Sequence, residues 1–321
     1  MTIARQDTSA LRIAFWPRLP GIDQLGALAG ALALGLWATT AMVDGSQDEA
    51  KNASSRGTSG LEQPAEAMTG PEWLTAGYFG IPYTYPSDMQ FERPGQAGAK
   101  LTDLTVHGIN WDGKPFKSPI YYGLRSIRWN GSQGTMLDFT HSKTISQPSQ
   151  SVRFSGTRNG KPASEPAKIG DTFRHLEFSH GHNMLTLNRL VRLGWISSVI
   201  QPYAGAGAGM SLPHTEIQFS DEEKRTYEYQ FAGPAGQIVA GLEFRLPRVS
   251  LFVEYKFTLA RNSVPLTGND SRGWGYGDFP SQLLRWLRGE KPEFGTATTI
   301  LASHQIIGGL GVRVPRTAAI P

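Results

Sequence analysis

The chain has 321 residues, enough for one large domain or two small ones. It contains no cysteine, which excludes disulfides, thiolate metal sites and thiol nucleophiles, and its net charge of +4 is too mild to point to nucleic acid. Its 37 glycines and scarce helical periodicity favour an all-β protein with many turns.

At the N-terminus, Arg5, Arg12 and Arg18 precede an apolar run over 22–43, IDQLGALAGALALGLWATTAMV. The run is long enough to span a bilayer, and small residues at Thr39-Thr40-Ala41 also suit a cleavage site. Residues 1–41 therefore read as a signal peptide or an N-terminal membrane anchor, and either exports the remainder. Residues 42–72 are polar, small and poor in aromatics, the composition of a disordered linker.

Strand patterns begin at Trp73. They cover 73–83, 120–130, 135–144, 183–193, 201–212, 227–246, 249–260 and 301–314, with 316–321 left as a tail. The connections near 131–134, 194–200 and 247–248 are short, whereas 84–119, 145–182, 213–226 and 261–300 are long. Short turns at one end and long loops at the other predict an eight-stranded antiparallel transmembrane β-barrel with long extracellular loops, placed at 73–315 in the bacterial outer membrane. A lipocalin-like barrel would be apolar inside. Here Val249, Leu251, Val253, Tyr255, Phe257 and Leu259 share one face while Glu254 and Lys256 share the other. Apolar faces then meet lipid, and Arg125, Asp138, Glu243, Arg245, Glu254 and Lys256 form a neutralising interior network.

The segment PYAGAGAGMSLPHTE (202–216) tests that reading. A dinucleotide fingerprint needs G-x-G-x-x-G between a strand and a helix, but Gly205, Gly207 and Gly209 alternate strictly and no helical pattern follows. As a strand, the segment presents a small face that leaves room for bulky neighbours in a narrow lumen.

All seven histidines are expected on one extracellular rim: His107, His141, His175, His180, His182, His214 and His304. Asp112, Glu177, Glu216 and Glu228 join them. Imidazoles with carboxylates and no thiols suit Zn, Fe or Cu, and His214 and Glu216 share a face if the chain there is extended. Adjacent His141 and Ser142 point apart, which weakens a Ser–His hydrolase. Arg153, Arg158, Lys161, Lys168 and Arg174 suit phosphates, and PSQLLRWLRGE (280–290) reads as an amphipathic helix for an interface or for the barrel mouth.

Several motifs in order carry a resemblance over most of 105–260: WDGKPF (111–116), SPIYYGLR (118–125), LDFTHSK (137–143), LEFSHGHNMLTLN (176–188), PYAGAGAGMSLPHTEI (202–217), EYQFAGPAGQIVAG (228–241) and VEYK (253–256). The chain resembles the lipid A oxidase-like outer-membrane proteins. That resemblance implies a small barrel acting on lipopolysaccharide, with oxygen-dependent oxidation of the proximal glucosamine of lipid A to 2-aminogluconate, release of hydrogen peroxide and a divalent-cation requirement. No nicotinamide is expected, because the sequence has no nucleotide fold. His180 and His182, the loops at 145–174 and 261–300 and the extended N-terminus depart from the family pattern.

For that chemistry the rim offers His141, His214 and Glu216 as ligands of a divalent metal ion, with Glu177 or Glu228 as base and O2 as oxidant. Trp111, Lys143 and Arg174 would position the sugar or its phosphate. The expected partners are lipid A or lipopolysaccharide and the membrane, with the barrel a monomer that does not bind nucleic acid. A non-catalytic barrel binding lipopolysaccharide or a host partner is the main alternative, followed by an acyl hydrolase and a narrow pore.

Overall fold

The computed structural model describes residues 71–95, 100–163, 165–271, 273–274 and 279–315. The expected leader and tail lie outside these residues, as does the linker except for its last two positions, which already belong to the first strand.

In chain order the elements are β1 (Pro71–Thr84), β2 (Ser87–Pro94), β3 (Lys100–Ile109), β4 (Trp111–Asp112), β5 (Tyr122–Asn130), β6 (Gln133–Ser146), β7 (Ser151–Arg158), β8 (Lys161–Pro162) and β9 (Pro166–Lys168). They continue with α1 (Ile169–Thr172), β10 (Phe173–Arg192), β11 (Ile200–Ser211), β12 (His214–Phe219), β13 (Thr226–Tyr229), β14 (Gly233–Arg245), β15 (Val249–Pro265), α2 (Phe279–Leu287) and β16 (Thr296–Pro315). Eight of the strands close a ring in the order β1-β5-β6-β10-β11-β14-β15-β16, with β16 pairing back onto β1 from Glu72↔Pro315 to Thr84↔Ser303. Every pairing in the ring is antiparallel. The eight-stranded barrel expected from the sequence is therefore present.

The regions expected as long loops hold further strands. β2, β3 and β7 extend the sheet from the upper part of β16, and β12 and β13 extend it from the upper part of β10. The expected single strand over 227–246 is divided into β13 and β14. Gly233, at φ +134, marks the break; β13 pairs with β12 and β14 with β11, the two pairings offset by one residue.

Alternation sorts the side chains. Leu251, Val253, Tyr255 and Leu259 of β15 and Ile306, Leu310 and Val312 of β16 are exposed, whereas Phe252, Glu254, Lys256 and Thr258 point inward and are buried. Such an apolar outer wall is stable only against hydrocarbon. Exposed Phe79, Leu124, Leu137, Leu187, Ile238 and Leu242 continue it around the ring. Among the described residues no helix is long and apolar enough to cross a membrane.

The expected interior network resolves into two layers. In the upper one, Arg125 holds Glu254 through two hydrogen bonds of 2.8 and 2.9 Å and Asp138 through Nε at 3.1 Å. Lys256 Nζ donates to Asp138 at 2.6 Å, so two cations face two anions. In the lower one, Glu72 and Glu243 meet Arg192, Arg245 and Arg313. Leu74, Ile127, Trp129, Met136, Leu190, Tyr203 and Val239 form an apolar cluster in the same lumen. The alternating glycines of β11 do what their spacing suggested. A Cβ on Gly205 would lie 2.3 Å from the Leu190 side chain, and one on Gly207 would lie 2.2 Å from that of Asn188.

Above the membrane the barrel interior becomes an apolar core. Phe91, Leu104, Val106, Phe154, Phe173, Phe178, Ile217, Phe219, Val264 and Leu301 fill it.

Removing Asp138 takes the ion-pair partner from buried Lys256 and leaves Arg125 with Glu254 alone, a class of change that costs about 3–5 kcal/mol. Asp138→Ala should lower barrel stability by that order, read from the urea midpoint of the folded band on an unheated gel. A loss below about 1 kcal/mol would show that the charges of the upper layer are not energetically coupled.

Candidate functional site

The outer wall carries polar side chains immediately above the lipid-facing belt. On β6, Leu137 faces outward, and alternation places Phe139, His141 and Lys143 on the same side. On β10, exposed Leu187 sets the outer face to which Leu185 and Asn183 belong. On β12, Ile217 and Phe219 enter the inner core, so His214 and Glu216 turn outward, and the rings of Tyr227 and Tyr229 on β13 lie against His214.

A bulge in β10 shapes the centre of this surface. Phe178 pairs with Thr144 and His182 with Ser142, so Ser179, His180 and Gly181 together oppose Lys143 alone. Gly181 has φ +134, and a Cβ there would lie 2.4 Å from Asn183 Oδ1 and 2.7 Å from His141 Nδ1. The bulge pushes His180 outward, where its ring lies 4.9 Å from that of His214 and its Nε2 is 3.2 Å from the Tyr227 hydroxyl.

Two adjoining groups result. In the first, Tyr122 stacks on His141 at 4.7 Å, His141 Nδ1 is 2.8 Å from Asn183 Oδ1, and buried His141 Nε2 has no hydrogen-bond partner among the described residues. His180, His214, Tyr227, Tyr229 and Trp274 continue the aromatic surface. In the second, His175 Nδ1 lies 3.4 Å from Glu177 Oε1 and 3.5 Å from Glu216 Oε1, and ligand atoms of the three residues all lie within 4.8 Å of one another. Ser179 donates to Glu216 Oε2 at 2.8 Å and Arg225 to Glu216 Oε1 at 2.9 Å. Burial, then the nearby charge of Glu216, raises the pKa of Glu177 above its ordinary carboxylate range. Two carboxylates brought together with an imidazole form a hard donor set suited to a divalent cation, which would relieve that repulsion.

The structure separates the expected residues. His141, His214 and Glu216 share the outer wall, and Glu216 adjoins Glu177, but among the described residues the close three-ligand set is His175, Glu177 and Glu216. Glu228 faces the other way. It is fully buried and accepts hydrogen bonds from Gln230 Nε2 (3.0 Å), Thr267 Oγ1 (2.7 Å) and Asn269 Nδ2 (2.7 Å), so it braces the 265–270 segment and is not positioned as the base. Trp111 is a core residue whose Nε1 donates to Ser87 Oγ at 2.8 Å, which removes it from the candidate substrate residues. Lys143 stands on the wall, its Nζ 2.5 Å from the Lys117 carbonyl; Arg174 is exposed at the extracellular end of β10. Ser142 turns inward from His141 and donates to the His182 carbonyl at 3.2 Å.

The single histidine rim also dissolves. His182 points inward toward Ser211 Oγ at 3.4 Å, His107 meets Asp88 and Ser155 on β3, and His304 contacts the Tyr85 and Tyr255 hydroxyls on β16, four strands from β10 around the ring. Tyr227 and Tyr229 were discoverable from their two-residue spacing. The bulge that brings in His180 had no comparable sequence signal.

A closed antiparallel barrel with an apolar outside and a charged inside has one environment. The chain is an outer-membrane β-barrel. No family model matches it, and no curated protein sequence matches significantly. Among solved structures it is similar to Neisserial surface protein A (8% identity, 76% of this chain and 98% of that one, TM-score 0.34). It is also similar to Ail of Yersinia pestis, solved with the heparin analogue sucrose octasulfate (11%, 77% and 100%, TM-score 0.30), and to the outer-membrane protease OmpT of Escherichia coli (8%, 80% and 99%, TM-score 0.34). These scores are low, and the fold assignment rests on the strand pairing of this barrel itself.

If the close set holds a metal, the refolded barrel should bind one Mn2+, and Glu177→Gln should weaken that binding at least ~100-fold while His141→Ala leaves it within about threefold. Because the raised pKa keeps Glu177 protonated at low pH, affinity should keep climbing with pH past about 5, where a carboxylate of pKa about 4.3 is already ionised. Calorimetric titration reads both effects. Loss in His141→Ala with retention in Glu177→Gln would place the ion at the imidazole–tyrosine group instead.

Proposed function

We propose that this barrel modifies lipid A in the outer leaflet, oxidising the proximal glucosamine to 2-aminogluconate with O2. The observation that carries the reading is the position of the polar cluster, which stands outside the barrel and directly above the lipid-exposed belt. A headgroup whose acyl chains lie along that belt would meet His141, His180, His214 and the Glu177–Glu216 pair without leaving the leaflet. The sequence resemblance adds the particular reaction.

The reaction balances as loss of the C1–H hydrogen with its electron pair and of the O1 proton from the free anomeric centre. These two electrons and two protons reduce O2 to hydrogen peroxide, and water opens the lactone to the acid. Glu177, on the outer wall beside Glu216, is the group placed to take the O1 proton. His175, Glu177 and Glu216 are the residues that would hold a divalent ion, and one carboxylate oxygen of Glu177 would then remain for proton transfer. A bound redox-active ion would supply the route for electrons from sugar to oxygen. Tyr227, Tyr229 and Trp274 offer flat apolar surfaces to a sugar ring.

One observation favours the second reading, a non-catalytic barrel. Arg225 bridges Glu216 and Asp270, with bonds of 2.9 and 3.0 Å, so part of the acidic group is already neutralised by protein.

Incubating the refolded barrel with 1-dephosphorylated lipid A in air should add one oxygen atom to the lipid by mass spectrometry, with matching peroxide. Chelator should stop it, and Glu177→Gln should lower turnover about 10²–10⁴-fold. Unchanged lipid from a folded, metal-loaded barrel would overturn the oxidase in favour of the non-catalytic barrel.

A further inference from the structure

Beside the candidate site, residues 113–121 form a tight segment on the same wall. Lys117 N–H donates to the Lys114 carbonyl at 3.1 Å and Tyr121 N–H to the Pro115 carbonyl at 2.8 Å. Lys114 takes a positive φ of 35°, and its N–H is held by Asp112 Oδ1 at 3.0 Å. This geometry presents Phe116, 80% exposed, and Ile120, 43% exposed. The segment leads directly into β5, whose exposed Leu124 belongs to the lipid-facing belt. An aromatic side chain bare at that level, flanked by lysines, has the composition of an interfacial anchor.

Behind it sits a cation lacking enough partners. Lys143 is only 3% exposed, yet its ammonium makes one hydrogen bond, to the Lys117 carbonyl at 2.5 Å. An ammonium has three donors, so two have no acceptor among the described residues. Burial, followed by the charges of Lys117 and Lys114, lowers the Lys143 pKa, against smaller opposing effects of Asp112 and Glu177. Asp112 is shared between Lys114, at 3.9 Å, and Gln147, at 3.2 Å. A buried cation with spare donors, among lysines that outnumber the local acid, favours an added anion.

Resting on the reading that a lipid substrate meets this wall, we propose that Lys114, Lys117 and Lys143 bind a phosphate monoester on that lipid's headgroup while Phe116 and Ile120 enter the outer leaflet. A phosphate monoester brings up to two charges and three acceptor oxygens, enough to engage the three ammoniums together. The neighbouring carboxylates of Glu177 and Glu216 would then meet a different part of the same headgroup. The site selects lipids that retain a phosphate and orients them.

The test measures binding by the full refolded barrel in detergent, with chelator present and oxygen removed so that no turnover occurs. The probes are lipid A bearing one phosphate, at the 4′ position, the same lipid with none, and inorganic phosphate. The phosphorylated lipid should bind at least about tenfold tighter than the phosphate-free lipid, the scale of one charge-assisted hydrogen bond. Lys114→Gln/Lys117→Gln, at positions that do not support the core, should erase that preference while the barrel keeps its heat-modifiable migration. Lys143→Gln should do the same. Equal binding of the two lipids by the unaltered barrel, or an unchanged preference in the double variant, would overturn the proposal. Inorganic phosphate binding as tightly as the lipid would overturn the headgroup assignment in favour of free phosphate. Because no step here depends on oxidation, a missing phosphate preference would leave the oxidase reading standing, and a missing oxidation would leave this binding result intact.

Discussion

Hydrocarbon offers no partner to a peptide group, and the rest of this molecule follows from that constraint. A flat sheet of these strands would leave two unpaired edges in lipid, so β1 must meet β16, as it does along almost its whole length. Closure then divides each strand into a lipid side and a lumen side. Lys256 and Glu254 cannot face lipid, and in a narrow lumen they cannot remain unpaired, so they meet Asp138 and Arg125 across the ring. Small residues on β11 give the bulky interior of β10 its space.

Above the membrane the same wall obeys a different rule. Water meets its outside, so the inside can be a conventional apolar core and the outside can carry charge. The transition lies at the top of β6 and β10, where outward positions change from Leu137 and Leu187 to His141 and Glu177. The candidate site occupies this change of solvent, and the bulge at Ser179–Gly181 is the local device that turns His180 toward it.

Period-two alternation made the barrel legible, because hydrophobic and charged residues separate cleanly on strands such as β15. The extracellular strands were harder to see. β2, β3 and β7 are polar on one face and interrupted by glycine and proline, and the pairings of β2 with β16 and of β3 with β7 join segments far apart in the chain. Their core residues, such as Phe91, Leu104 and Phe154, look isolated until those partners meet. The site was only half legible for a related reason. Alternation along HTEIQF puts His214 and Glu216 together, but it does not say which side of the barrel they occupy. Glu228 appeared equivalent to them while 227–246 was read as one strand. A one-residue offset between the β12–β13 and β11–β14 pairings, at the break marked by Gly233, gives Glu228 the opposite face. Trp111 looked like a surface aromatic because the sheet that buries it was read as loop.

Placing the cluster on the outside of the wall also changes how a molecule would find it. A lipid would arrive sideways, confined to a plane, and its encounter rate would depend on the number of molecules per unit area of leaflet. Dilution of the surrounding water would not lower that number. Neighbouring lipids would compete for the same strip of protein at every instant, so discrimination would have to occur among molecules already in contact. A narrow polar strip above an otherwise unselective apolar belt meets that demand, because every lipid can touch the protein and recognition is left to the headgroup.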